Sequence, residues 1–162
     1  MVNPLNFLNS LAKAGLLVGC FDAMAASIYS YALAGSTPDR VFCYVASGVF
    51  GQDAFAGGLP IAAMGLLFHF IVAMGWTALF FVVLPKISFF SSNKFAAGAV
   101  YGIFIWIMMN FVVVPLSNVP PGPFHFTWKT LIMIGIHMFV IGVPISYFAN
   151  NYYSRSENGT SR

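Results

Sequence analysis

Apolar residues run through this chain in four long blocks, separated by short breaks that carry charge, Pro or Gly. The blocks cover roughly residues 14–34, 61–84, 95–116 and 128–149. Each supplies the ~20 apolar residues that a helix needs to cross a hydrocarbon core of ~30 Å. Backbone N–H and C=O groups in lipid must find partners within their own element, so the blocks predict helices rather than loose strands. The first block holds one charge, Asp22, and Pro85-Lys86 closes the second. Lys94 stands before the third, with Pro115 near its end, and Asn150-Asn151 follow the fourth. Trp128, Tyr147, Tyr152 and Tyr153 fall near predicted ends, where amphipathic rings settle at the membrane surface. The pattern predicts an all-α, polytopic membrane protein with four transmembrane helices. It forms a single integral membrane domain over residues 1–162, with a cytoplasmic tail over 150–162.

The connection between the first two blocks carries a different signal. Ser36-Thr37-Pro38-Asp39 is a helix start: a hydroxyl cap, Pro in the first turn and an acid near the positive end of the helix dipole. Val41 to Phe50 is then apolar nearly all round. Asp39 and Asp53 bracket only ~20 Å of helix, too short to span. The segment over about residues 38–50 therefore predicts a short interfacial or re-entrant helix, with a five-span arrangement as the alternative. Gly51, Gly57 and Gly58 break the chain before the second block.

Composition fits lipid better than water. Of 162 residues, 59% are hydrophobic and 7% charged, against about a quarter charged in soluble domains. The formal net charge of +3 matters less than where the charges lie. Four spans put Lys13, Lys86, Lys94, Arg155 and Arg162 on one side and Arg40 and Lys129 on the other. The positive-inside rule then predicts cytoplasmic N- and C-termini. No basic patch points to nucleic acid. Cys20 and Cys43 fall at different predicted depths, so no disulfide is expected. Ala32-Leu33-Ala34 and Leu17-Val18-Gly19-Cys20 imitate processing sites, but Asp22 interrupts the first apolar region and Lys13 lies too close to the second.

Small residues mark where helices can approach closely. Gly15 and Gly19 have GxxxG spacing, continued by Asp22 and Ala26. Gly98 and Gly102 repeat the spacing in the third block, and Ala62, Gly65, His69 and Ala73 form a small face on the second. These faces predict packing within the bundle or self-association.

Each block also carries one conspicuous polar residue: Asp22, His69, Asn110 and His137. An Asp at the membrane centre costs about 2.5–3.5 kcal/mol on insertion scales, so such residues are functional candidates. Counting along the helices puts His69, Asn110 and His137 at similar depth and Asp22 about two turns nearer the cytoplasm. Three readings follow. The four groups can lock helices together through hydrogen bonds worth about 0.6–2 kcal/mol each. Asp22 can exchange a proton for a small solute, with the histidines as relay. Or His69 and His137 can hold a haem, or a metal together with Asp22. His125, between two phenylalanines in a loop, reads as interfacial, and the eight methionines read as adaptable packing.

No phosphate-binding Gly loop, nucleophile elbow or paired-cysteine motif is present, so no enzyme, cofactor or metal site is expected. Phe81-Val82-Val83-Leu84-Pro85-Lys86-Ile87 closes a block, Ala97-Gly98-Ala99-Val100-Tyr101-Gly102 opens the next, and Asn110, Val114-Pro115-Leu116, Pro120-Pro121 and Gly135-Ile136-His137 follow. This order, over roughly residues 65–155, resembles the YagU-like bacterial inner-membrane proteins. The resemblance implies a bacterial inner membrane and draws attention to Asn110 and His137. The sequence as a whole predicts a non-enzymatic protein embedded in lipid, acting as a homo-oligomer or as an accessory subunit of a membrane complex. A proton-coupled carrier using Asp22 is the alternative.

Overall fold

The structure is a computed structural model that describes residues 4–83, 87, 93–122 and 125–160, with side chains to residue 154. The Pro85-Lys86 stop, Pro123 and Arg162 lie outside the described residues, as do the side chains of Arg155 and Glu157. The described residues form helices and connecting turns, with no strand among them. Helix α1 is Pro4–Ala34, α2 is Pro38–Phe50, and a 3-10 turn at Gly51–Ala56 leads into α3, Gly58–Val83. Helix α4 consists of Lys94–Met108, a π-helical stretch Met109–Val113 and a last turn Val114–Leu116. Helix α5 consists of Trp128–Ile136, a π-helical stretch His137–Gly142 and Val143–Thr160. All four helices other than α2 are long and apolar enough to cross a membrane, so this is a multi-pass membrane protein.

The four long helices alternate in direction, and short contacts fix the two ends. At one end Lys129 Nζ donates to the Leu33 carbonyl (3.0 Å) and Tyr29 donates to the Lys129 carbonyl (3.3 Å), tying the end of α1 to the start of α5. Asn118, beyond α4, donates to the Val49 carbonyl of α2 at this same end. At the opposite end Phe7 meets Phe81 and Tyr152 edge-on, and Tyr153 donates to the Phe81 carbonyl (2.7 Å). Both termini therefore share one end of the bundle, and α2 lies at the other.

Local chemistry explains most boundaries. Gly35 and Gly51 each adopt φ 63°, the left-handed conformation that ends a helix at little cost only for glycine. The Asn93 side chain accepts from Ala96 N–H (3.0 Å) at the start of α4, and Thr127 and Thr130 form a reciprocal capping box on α5. Thr37 is the N-cap of α2, but its hydroxyl makes no capping bond; its carbonyl instead accepts from Arg40 N–H (3.0 Å).

Two boundaries differ from the sequence expectation. Helix α1 starts at Pro4 rather than near residue 14, because Phe7 and Leu11 pack against the same buried cluster as the rest of the helix. Helix α5 runs on through Asn150-Asn151, where a tail was expected. Asn150 is buried and bonds the Ser146 carbonyl (2.9 Å) and hydroxyl (3.3 Å), so its amide is satisfied without breaking the helix. Helix α2 is the expected short helix, and it packs closely on α3: the small residues Ala46, Ser47 and Gly65 bring the two together, and the Phe42 ring meets His69.

Ala14, Val18, Phe80, Phe81, Tyr101, Ile105, Ile141, Ile145 and Ala149 form one buried apolar cluster that extends toward the termini end of the bundle. Helices α4 and α5 come closest where Gly98 and Gly102 face Gly142, Val143 and the His137 backbone: a methyl on Gly98 would sit 2.5 Å from Val143 Cα. Gly65 faces the backbone of α2 in the same way, whereas Gly15 and Gly19 of α1 face the side chains of Met74 and Phe70 on α3.

Candidate functional site

Asp22 projects from α1 toward α3, where Gly19 and Ala73 keep the two helices close. Its Oδ2 lies 3.8 Å from His69 Nε2. The same Nε2 is 3.0 Å from the Gly19 carbonyl. A carbonyl can only accept, so Nε2 carries the hydrogen and donates to Gly19, with the Asp22 carboxyl beside it beyond hydrogen-bond distance. His137, on α5, makes the complementary choice. Its Nδ1 lies 2.8 Å from the Met133 carbonyl, one turn back, so Nδ1 carries the hydrogen and Nε2 is left as an acceptor in the neutral ring. Both histidines lie within electrostatic range of the Asp22 carboxylate.

These three side chains line one cavity of about 100 Å³. Its walls come from every long helix: Val18 on α1, Trp76 on α3, Ile105 and Met109 on α4, and Ile141 on α5, with Val45 of α2 closing the remaining side. The cavity has room for several waters but falls well below the ~300–1,000 Å³ of sites for drug-sized ligands. It has no room for a porphyrin, and among the described residues no three His, Cys, Asp or Glu side chains are arranged to hold a metal ion. The geometry therefore argues against the haem and metal readings of His69 and His137.

The expectation that Asp22 sits two turns from the histidines is corrected by its 3.8 Å approach to His69. The error came from starting α1 near residue 14; measured from the α2 end, Asp22 and His69 lie at nearly the same depth along their helices. Asn110 does not line the cavity. Its amide donates to the Trp106 carbonyl (2.9 Å) one turn back in α4. His137 adjoins the close-packed face of α4 and α5: its backbone abuts Gly102 while its ring lines the cavity.

Two features of the site lay outside the sequence reading. Asn110 and His137 both fall in π-helical stretches, and each stretch ends just before a proline, Pro115 or Pro144. Proline has no N–H and crowds the carbonyl four residues back, and a widened turn relieves both problems. The spacing of seven residues from His137 to Pro144 was the available signal. The second feature is that α2 supplies one wall of the cavity through Val45. On the far side of α2 an open cleft of about 590 Å³ is lined by Arg40, Tyr44 and the hydroxyls of Ser30, Ser36 and Thr37. Partial desolvation pushes the Tyr44 hydroxyl above its ordinary value, which already keeps it a hydrogen-bond donor at neutral pH. Ser30 and Asp22 are eight residues apart on α1, so one face of that helix runs from the cleft to the cavity. No family model, curated protein or solved structure matches this chain.

Proposed function

We propose that this protein is a proton-coupled carrier of a small solute and performs no covalent chemistry. The observation that supports it is the convergence of Asp22, His69 and His137 on one cavity walled by all four long helices. Ionisable groups at membrane depth are costly and mark proton relays and solute paths. In this reading Asp22 takes up and releases the proton, His69 Nε2–H stabilises its charged form, and His137 Nε2 accepts a hydrogen bond from the solute. The buried core cluster lies on the termini side of the cavity and Val45 of α2 on its other side, as a gated path would require. Resemblance to the YagU-like proteins and the five-to-two distribution of basic residues support a bacterial inner membrane with both termini cytoplasmic.

One observation favours a second reading, an accessory subunit or homo-oligomer in which the polar cluster only locks the helices. Every buried side-chain N or O among the described residues has a hydrogen-bond partner. The substitution Asp22→Asn separates the two, because an amide still bonds but cannot exchange a proton. Proteoliposomes with an entrapped pH dye and an imposed pH gradient, challenged with a panel of small amines, carboxylates and amino acids, report coupled flux. The wild type is expected to couple proton and solute movement, and Asp22→Asn to lose it while remaining folded. Full coupled flux by Asp22→Asn would sink the carrier mechanism.

A further inference from the structure

The termini end of the bundle holds a second pocket, about 260 Å³, lined by Ser10, Lys13, Phe148, Asn151 and Tyr152 between α1 and α5. Lys94 of α4 adjoins it: its Nζ donates to Asn151 Oδ1 (3.1 Å) and lies 5.7 Å from the centre of the Tyr147 ring. Anchoring Lys94 through Oδ1 leaves the Asn151 Nδ2 donors for another partner. Every polar group there can donate: two ammonium groups, an amide NH₂ and the hydroxyls of Ser10 and Tyr152, which can also accept. Among the described residues neither lysine has a carboxylate partner, since the ion pair there is Asp22 with His69.

Depth adds the second argument. Helix α1 has 31 residues, ~46 Å at ~1.5 Å per residue, well over a ~30 Å hydrocarbon core. Measuring ~30 Å back from Ala34 ends beside Lys13, and ~30 Å forward from Trp128 ends beside Phe148. Pocket and lysines thus lie at the level of the phosphate groups of one leaflet. Phe148 supplies an apolar wall on the core side, against which an acyl chain can lie.

From this juxtaposition we infer that the pocket binds the phosphodiester of an anionic phospholipid, with Lys13 and Lys94 pairing its charge. Ser10, Asn151 and Tyr152 donate to its oxygens. A zwitterionic lipid offers the same phosphate but brings its own cation, which competes with the lysines. The site is separate from the proton cluster, and its test does not depend on transport.

The test is native mass spectrometry of the purified full chain, released from detergent after incubation with phosphatidylglycerol, phosphatidylcholine or inorganic phosphate. The wild type is expected to retain one phosphatidylglycerol in preference to phosphatidylcholine. At about a 5-fold loss of affinity per lysine, each single Lys→Gln variant weakens retention about 5-fold and K13Q/K94Q about 25-fold. The K13R/K94R variant keeps the charges and should retain the lipid, as should Arg40→Gln at the opposite end. If K13Q/K94Q fails to fold by circular dichroism, the two single variants decide. Equal retention of the two lipids, or wild-type retention by the glutamine variants, overturns the proposal. Inorganic phosphate that binds in place of phosphatidylglycerol would identify a soluble-phosphate site and overturn the lipid assignment.

Discussion

Replacing Gly65 by alanine tests whether α2 is a removable plug. The new methyl would run into the Phe42 carbonyl, with its carbon 2.7 Å away and Ala46 N at 3.2 Å. These are backbone atoms of α2, so no side chain can turn aside and the helix itself must back off. Overpacking of this kind costs about 1–3 kcal/mol. All of that cost falls on the seated position of α2 and none on a lifted one. At 1.4 kcal/mol per factor of ten, the lifted population should rise about 5- to 150-fold. Cys43 reports it directly, being on α2 and 2% exposed. In a Cys20→Ser background it is the one remaining thiol. Its labelling by a membrane-impermeant maleimide should be slow in the parent and accelerate by that factor in Gly65→Ala, since labelling of a transiently opened site follows the open population. Gly75→Ala on the same helix is the control: its methyl meets nothing within 4 Å, so labelling should not change. Equal labelling rates for the Gly65 and Gly75 variants would refute the idea that α2 is held by this contact.

Further outcomes follow from the same structure. Gly102→Ala puts a methyl 2.5 Å from Met138 Cα, so thermal unfolding in nanodiscs should move down by ~2–12 °C, while Gly135→Ala, in open space, should leave it unchanged. Topology reporters fused after Asn118 and at the C-terminus should fall on opposite sides of the membrane, and agreement between them would contradict the alternating bundle.

The fold was readable because its largest signal, apolar run length, comes from the solvent and needs no tertiary information. The four long helices and the Pro38 start of α2 emerge from run length, caps and charge alone. What failed were the ends of α1 and α5, where polar residues continue as helix. Lys13 and Asn150 look like stops in sequence, yet one extends from the helix surface and the other bonds Ser146 one turn back. The site was half legible. Depth cost singled out Asp22, His69 and His137, but nothing in the spacing of apolar residues gives the rotation of one helix against another. Asn110 and His137 looked alike in sequence. The structure separates them because Asn110 spends its amide on its own helix while the ring of His137 reaches the shared cavity.

The π-helical stretch His137–Gly142 has a consequence for how this protein can vary. An ordinary helix advances by ~100° per residue, so positions four apart drift by ~40° at each step. His137, Ile141, Ile145 and Ala149 are four apart and nevertheless all buried, because the wide turn winds more slowly and cancels part of the drift. The wide turn thus absorbs one residue: six residues there wind through about the angle that five cover at ordinary pitch. Deleting a single residue between 138 and 142 would let the turn close to ordinary pitch and leave the imidazole nearly where it is, whereas a deletion in the regular helix that follows would rotate the two flanks against each other by roughly 100°. Within α5 this turn is the place where a change in chain length does least to the aim of His137.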